Sequence, residues 1–119
     1  MTESAYQSKI IKAIDKIKGK AINGVYTKAG EADLQCGYPI NGILRYLAVE
    51  VKTEANYNKM MKHLLIGNDG KITILDKSKL RDGEVLQIHK LNNVIDMGGL
   101  ALLAWNFQQV KQYVEEQTK

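Results

Sequence analysis

Asp33, Glu50 and Lys52 are the residues of this sequence whose types and spacing make chemistry possible. Residues 43–52 alternate: Leu47, Val49 and Val51 fall on one face of an extended strand, and Tyr46, Ala48, Glu50 and Lys52 on the other. Glu50 and Lys52 are therefore neighbours at the end of an otherwise apolar strand. Asp33 opens a second short strand, residues 33–37, and a turn through Tyr38-Pro39-Ile40-Asn41-Gly42 joins the two. Pairing of these strands would bring two carboxylates and one ammonium to a single spot. Carboxylate oxygens suit Mg²⁺, which takes few protein ligands and keeps several waters. Such an ion polarises a phosphoryl oxygen and lowers the pKa of bound water. A lysine beside it orients that water or offsets charge in the transition state. The chemistry so described is metal-assisted hydrolysis of a phosphodiester. A Glu-x-Lys at a strand end is more often a solvated ion pair, so the three residues alone do not define a site.

The elements that must position these residues follow from the rest of the pattern. Residues 4–18 carry Tyr6, Ile10, Ala13, Ile14 and Ile17 at three- and four-residue spacing, a buried helical stripe, with lysines at 9, 12, 16 and 18 covering the remainder. Ser4 with Gln7 reads as a capping box, with Thr2 as a competing cap. Glu3 is in phase with Tyr6 and Ile10, so it faces either the sheet or, as a carboxylate at a helix N-terminus, the solvent. Gly19 stops this helix, residues 21–28 read as a strand, and the short connections predict a three-stranded antiparallel meander. Val85, Ile88, Leu91, Val94 and Ile95 mark a helix from Glu84 that ends before Gly98-Gly99. Residues 100–105 are an apolar run of strand length, as for a strand covered on both faces and paired in parallel. Asn106 with Gln109 caps a last helix whose Phe107, Val110, Tyr113 and Val114 point inward.

Between the long strand and the second core helix, residues 53–83 read as an insertion. A short helix over 57–66, a turn at Asn68-Asp69-Gly70 and a strand over 72–75 are expected there. Lys59, Lys62, Lys71, Lys77, Lys79 and Arg81 make the segment basic, which fits either contact with a substrate backbone or a solvated excursion.

The chain has 119 residues, an apolar fraction of 45% and a charged fraction of 25%, the values of one ordinary globular domain with a single core. No apolar run is long enough to span a bilayer and no signal pattern opens the chain, so neither a membrane nor a secretory route is expected. A lone cysteine, Cys36, has no internal disulfide partner and suits a reducing cytoplasm. The net charge of +4 leans toward an anionic partner. His63, His89 and Cys36 lack zinc spacing, Gly67-Asn68-Asp69-Gly70-Lys71 is a hairpin turn and not a phosphate loop, and no nucleotide cofactor is implied. Tyr26, Tyr38, Tyr57 and Trp105 are structural aromatics before they are base-stacking platforms.

This element order, with Gly30-Glu31-Ala32-Asp33, Glu50-Val51-Lys52, Leu86-Gln87 and the closing Gly98-Gly99, resembles the VRR-NUC family of the PD-(D/E)XK nuclease superfamily. Ala32 stands where that family has proline, and the insertion is longer than usual. The resemblance implies a restriction-endonuclease-like αβββαβα core, an α/β fold with a mixed central sheet flanked by helices. It implies Asp33 and Glu50 as metal ligands, with the backbone carbonyl of Val51 as a further one and Glu3 as an outer carboxylate. Lys52 becomes the catalytic lysine and Gln87 its helper. The implied activity is a Mg²⁺-dependent (or Mn²⁺-dependent) endodeoxyribonuclease that selects branched, flapped or nicked DNA, leaves a 5′-phosphate, and works as a homodimer in a bacterial or phage-infected cell. Lys28, Lys59, Lys62 and Lys90 are the candidates for DNA phosphate contact. The alternatives are a noncatalytic DNA-binding or assembly subunit on the same fold, and a nuclease acting on RNA.

Overall fold

Alternation along the middle of the chain builds a sheet, and the computed structural model, which describes residues 1–23 and 33–119 (20–23 as backbone), gives its order. Helix α1 (Glu3–Lys16) leads into strands β1 (Lys20–Asn23), β2 (Leu34–Ile40) and β3 (Ile43–Val51). Helix α2 (Glu54–Met61), strands β4 (Leu64–Ile66) and β5 (Ile72–Ile74) and a 3-10 turn at Lys77–Lys79 come next. Helix α3 (Asp82–Asp96), strand β6 (Leu100–Ala104) and helix α4 (Phe107–Gln117) follow. The second half of the expected 21–28 strand, with Tyr26, Lys28 and Gly30-Glu31-Ala32, lies outside the described residues.

The main sheet runs β1-β2-β3-β6, antiparallel except for the parallel β3–β6 pair. The two strand faces bury different sets. Leu47, Val49 and Val51 join Ile10 and Ile14 of α1 and Val110 and Val114 of α4 in one core, while Ala48, Ala101 and Leu103 meet Ile88 and Leu91 of α3 in the other. The result is a mixed sheet with helices on both faces.

Local chemistry explains where the elements begin and end. Thr2, not Ser4, caps α1 by accepting from the Ala5 N–H at 3.2 Å, and Gln7 instead donates to the Asp33 carbonyl at 3.2 Å. The β2–β3 turn is only Asn41-Gly42, both at positive φ (51° and 79°), so Tyr38, Pro39 and Ile40 belong to the strand. Pro39 is tolerated because it lies beyond the last β1 partner, where its missing N–H breaks no ladder. Asn106 and Gln109 form the expected reciprocal cap of α4. Trp105 packs edge-on against Tyr6, ring centres 6.0 Å apart, and so ties β6 to α1.

The inserted segment is docked rather than loose. Met60, Leu64 and Ile72 bury into the α3-side core, and β4 and β5 pair as a hairpin. Asn92 of α3 clamps Ile72 through both its backbone groups (2.8 and 2.9 Å), and Lys71 pairs with Asp96 at 2.8 Å. The hairpin tip rests on α4, where Tyr113 covers Gly70 and its hydroxyl accepts the Ala101 N–H of β6 at 3.0 Å. Gly70 has φ +86°, and an added Cβ would stand 2.8 Å from the Tyr113 hydroxyl. Gly70→Ala should therefore lower the thermal midpoint by several degrees, a loss of about 1–3 kcal/mol. A melt unchanged from the parent would show that the hairpin is not pinned there.

Candidate metal centre

Three elements bring the acidic side chains together. Because Leu34, Cys36 and Tyr38 point into the α1/α4 core, Asp33 points to the opposite face, the one that β3 gives to Glu50 and Lys52. Glu3 arrives from the first turn of α1, so the helical phase with Tyr6 and Ile10 does turn it toward the strand ends. One carboxylate oxygen from each of Glu3, Asp33 and Glu50 lies within 4.8 Å of the others. Among the described residues this is the one grouping of three or more acidic, histidine or cysteine side chains with metal-binding geometry.

Glu50 is the unusual member. It is 1% exposed, and neither carboxylate oxygen meets a hydrogen-bond donor among the described residues. Its polar neighbour is the Asp33 carboxyl, itself an acceptor unless one proton is shared between the two. Burial first, then Asp33 and the more distant Glu3, push the Glu50 carboxyl up to about 10, against the pull of Lys52. Partial desolvation also raises Glu3, with Lys52 opposing and Asp33 adding to the rise. An ionised buried carboxylate without a partner is costly, and a divalent cation supplies the missing one. The spacing fits. Three carboxylate oxygens within 4.8 Å of one another could be drawn onto one divalent cation, at about 2.0–2.1 Å each, by side-chain adjustments on the order of 1–2 Å.

Asp33 is also fixed from below, since its Oδ2 accepts the Val51 N–H at 3.3 Å. That bond directs the Val51 backbone edge toward Asp33, and in a strand the carbonyl of a residue shares the edge of its N–H. The Val51 carbonyl, which the resemblance implies as a backbone ligand, lies on that same strand edge. Lys52 is 7% exposed, and its Nζ donates to Gln87 Oε1 on α3 at 2.9 Å. The long insertion does not displace Gln87, because α3 packs directly on β3 and β6.

A cavity of about 250 Å³ opens over the cluster, lined by Glu3, Lys52 and Gln87 together with Asn56, Arg81, Gly83 and Glu84. Asn56 and Arg81 were not among the residues singled out from sequence. Arg81 was visible only as one of six cations in the insertion, and nothing in its spacing says which of them turns inward. Lys59 lines an adjoining cavity, whereas Lys90 lines a separate one beyond Ala48, and Lys62 lines neither. Lys28 lies outside the described residues. Among the described residues no helix is long and apolar enough to cross a membrane. No family model, no curated protein and no solved structure matches the chain.

Proposed function

We propose that this chain is a metal-dependent endodeoxyribonuclease of the PD-(D/E)XK type, resembling the VRR-NUC family and built on the restriction-endonuclease-like αβββαβα order. The observation that carries the reading is Glu50, a buried carboxylate without a donor, aimed at two further carboxylates and flanked by a lysine. A subunit that only bound DNA would gain nothing from keeping such a group unpartnered. Glu50, Asp33 and the Val51 carbonyl, with Glu3 outside them, would hold Mg²⁺ or Mn²⁺, which would supply positive charge at the phosphoryl oxygen and a more acidic water. Lys52, held at 2.9 Å by Gln87, is oriented to keep its ammonium beside that water and the charge that develops on phosphorus. Hydrolysis forms a bond from the water oxygen to phosphorus and breaks the P–O3′ bond. O3′ leaves with a proton as the 3′-hydroxyl, and a 5′-phosphate remains.

Selection in this reading rests on DNA structure through phosphate contact, and junctions, flaps and nicks are the favoured substrates. Two paired copies would present two sites to a branched substrate, which sedimentation with and without DNA tests. Junction, flap, nicked, single-stranded and duplex DNA, with an RNA counterpart of each, should be incubated with Mg²⁺, Mn²⁺ or EDTA. Metal-dependent cleavage of branched DNA is expected, with 5′-phosphate ends and none in EDTA. Binding without cleavage in every metal would replace this reading with a DNA-binding subunit.

A further inference from the structure

The cavity over the acidic cluster does not end there. A second cavity of about 220 Å³ shares Asn56, Arg81 and Glu84 with it, and Lys59 and Lys79 line its outer part. The two form one trough from the carboxylates outward, walled by α2, the 3-10 turn and the start of α3. Besides Lys52, the cations that line it (Lys59, Lys79 and Arg81) come from the inserted segment. Its one acid besides Glu3 among the described residues is Glu84, whose Oε1 is occupied by the Arg81 N–H at 2.9 Å. Among the described residues no aromatic side chain lines either cavity, so those residues offer cations for phosphates and no platform for bases. By contrast, the 340 Å³ cavity under the β4–β5 hairpin is lined by Tyr57, Tyr113 and Glu116 and by no cation.

We infer that this trough is the path of the substrate strand: Arg81, common to both cavities, holds the phosphate next to the scissile one, and Lys59 and Lys79 hold those further out. The inference rests on the nuclease reading and adds a task for the insertion. Arg81 suits the inner position because its planar fork binds a phosphate through two parallel hydrogen bonds. Contacts of this kind grip the backbone whatever its sequence and give binding a steep salt dependence.

The test compares wild type with Lys59→Ala/Lys79→Ala/Arg81→Ala and with Lys12→Ala/Lys111→Ala, which removes exposed charge outside the trough. Steady-state cleavage of a flap DNA in Mg²⁺ should show KM raised about tenfold or more in the trough variant, with kcat within about threefold. The slope of log(kcat/KM) against log[salt] should flatten by about 2 units, at about 0.7–0.9 per lost contact. Lys12→Ala/Lys111→Ala should match wild type, and exchanging the trough residues Lys59→Arg/Lys79→Arg/Arg81→Lys should restore most of the slope. Thermal stabilisation by Mn²⁺ alone should be the same in all variants. Should the triple variant unfold, Lys59→Ala and Lys79→Ala singly carry the test, each raising KM about threefold. A cleaving wild type whose trough variants keep KM and salt slope would overturn the track while leaving the nuclease reading intact. A wild type that cleaves nothing in either metal would overturn both.

Discussion

Glu50→Gln is expected to abolish DNA cleavage and, in the same protein, to raise the thermal midpoint measured in EDTA. The first effect should reach roughly 10³-fold, since a Lewis acid contributes several kcal/mol to such a reaction and each 1.36 kcal/mol is tenfold. The second follows from burial. The Glu50 carboxyl titrates near 4.5 in an unfolded chain and about 10 in the fold, so between those values the folded state binds the extra proton. Stability therefore falls as pH rises through this window, and it carries no such penalty below about 4.5. A glutamine has no charge to desolvate, and its amide can donate to the Asp33 carboxylate that now faces a second acceptor. The variant should melt about 3–10 °C higher than wild type at pH 8, corresponding to about 1–3 kcal/mol, with the gap closing toward pH 4. Mn²⁺ should raise the midpoint of wild type and leave the variant nearly unmoved, because the metal binds the ionised carboxylate. A variant that melts lower in EDTA, or that Mn²⁺ stabilises as much as wild type, would remove Glu50 from the centre.

Lys52→Ala should divide binding from chemistry. Cleavage is expected to drop by roughly 10²–10³-fold, the usual loss when one group aimed at developing charge is removed. Metal affinity should hold or improve, because the lysine now competes with any cation for Glu50 and Glu3. Titration calorimetry with Mn²⁺ and a single-turnover cleavage assay report the two quantities separately. Cleavage within tenfold of wild type would leave Lys52 as an ion-pair partner and nothing more.

The parts of this molecule that were legible in the sequence are those governed by local periodicity. Alternation along residues 43–51 assigned Val49 and Glu50 to opposite faces, and the fold puts them there. Helical phase turned Glu3 toward the strands although 30 residues separate it from Asp33. The misses have physical reasons. The helix expected over 57–66 begins at Glu54 because Thr53 caps it, accepting the Asn56 N–H at 3.2 Å, and polar residues in its first turn hid the start. Leu64–Ile66 continues its apolar character but is a strand, as three such residues fit either period and only the β5 partner decides. The helix expected from Glu84 starts two residues earlier, at Asp82, because the Glu84 side chain folds back to accept the Arg81 N–H. Which cations of the insertion face the cluster depended on how that segment docks on α3 and α4, a long-range outcome that no window of sequence contains. The buried state of Glu50 was likewise invisible, since it arises from α3 closing over the strand end.

The Tyr113 hydroxyl on Ala101 has a consequence beyond geometry. Leu100-Ala101-Leu102-Leu103-Ala104 is an uncharged, proline-free run at the margin of the sheet, the kind of segment that recruits copies of itself into growing ribbons. Tyr113 occupies the donor that an incoming chain would need first, and the hairpin it carries stands in the way of the rest. The hairpin of the inserted segment thus helps to hold Tyr113 over this margin, so shortening the segment would expose a strand edge of the self-pairing kind.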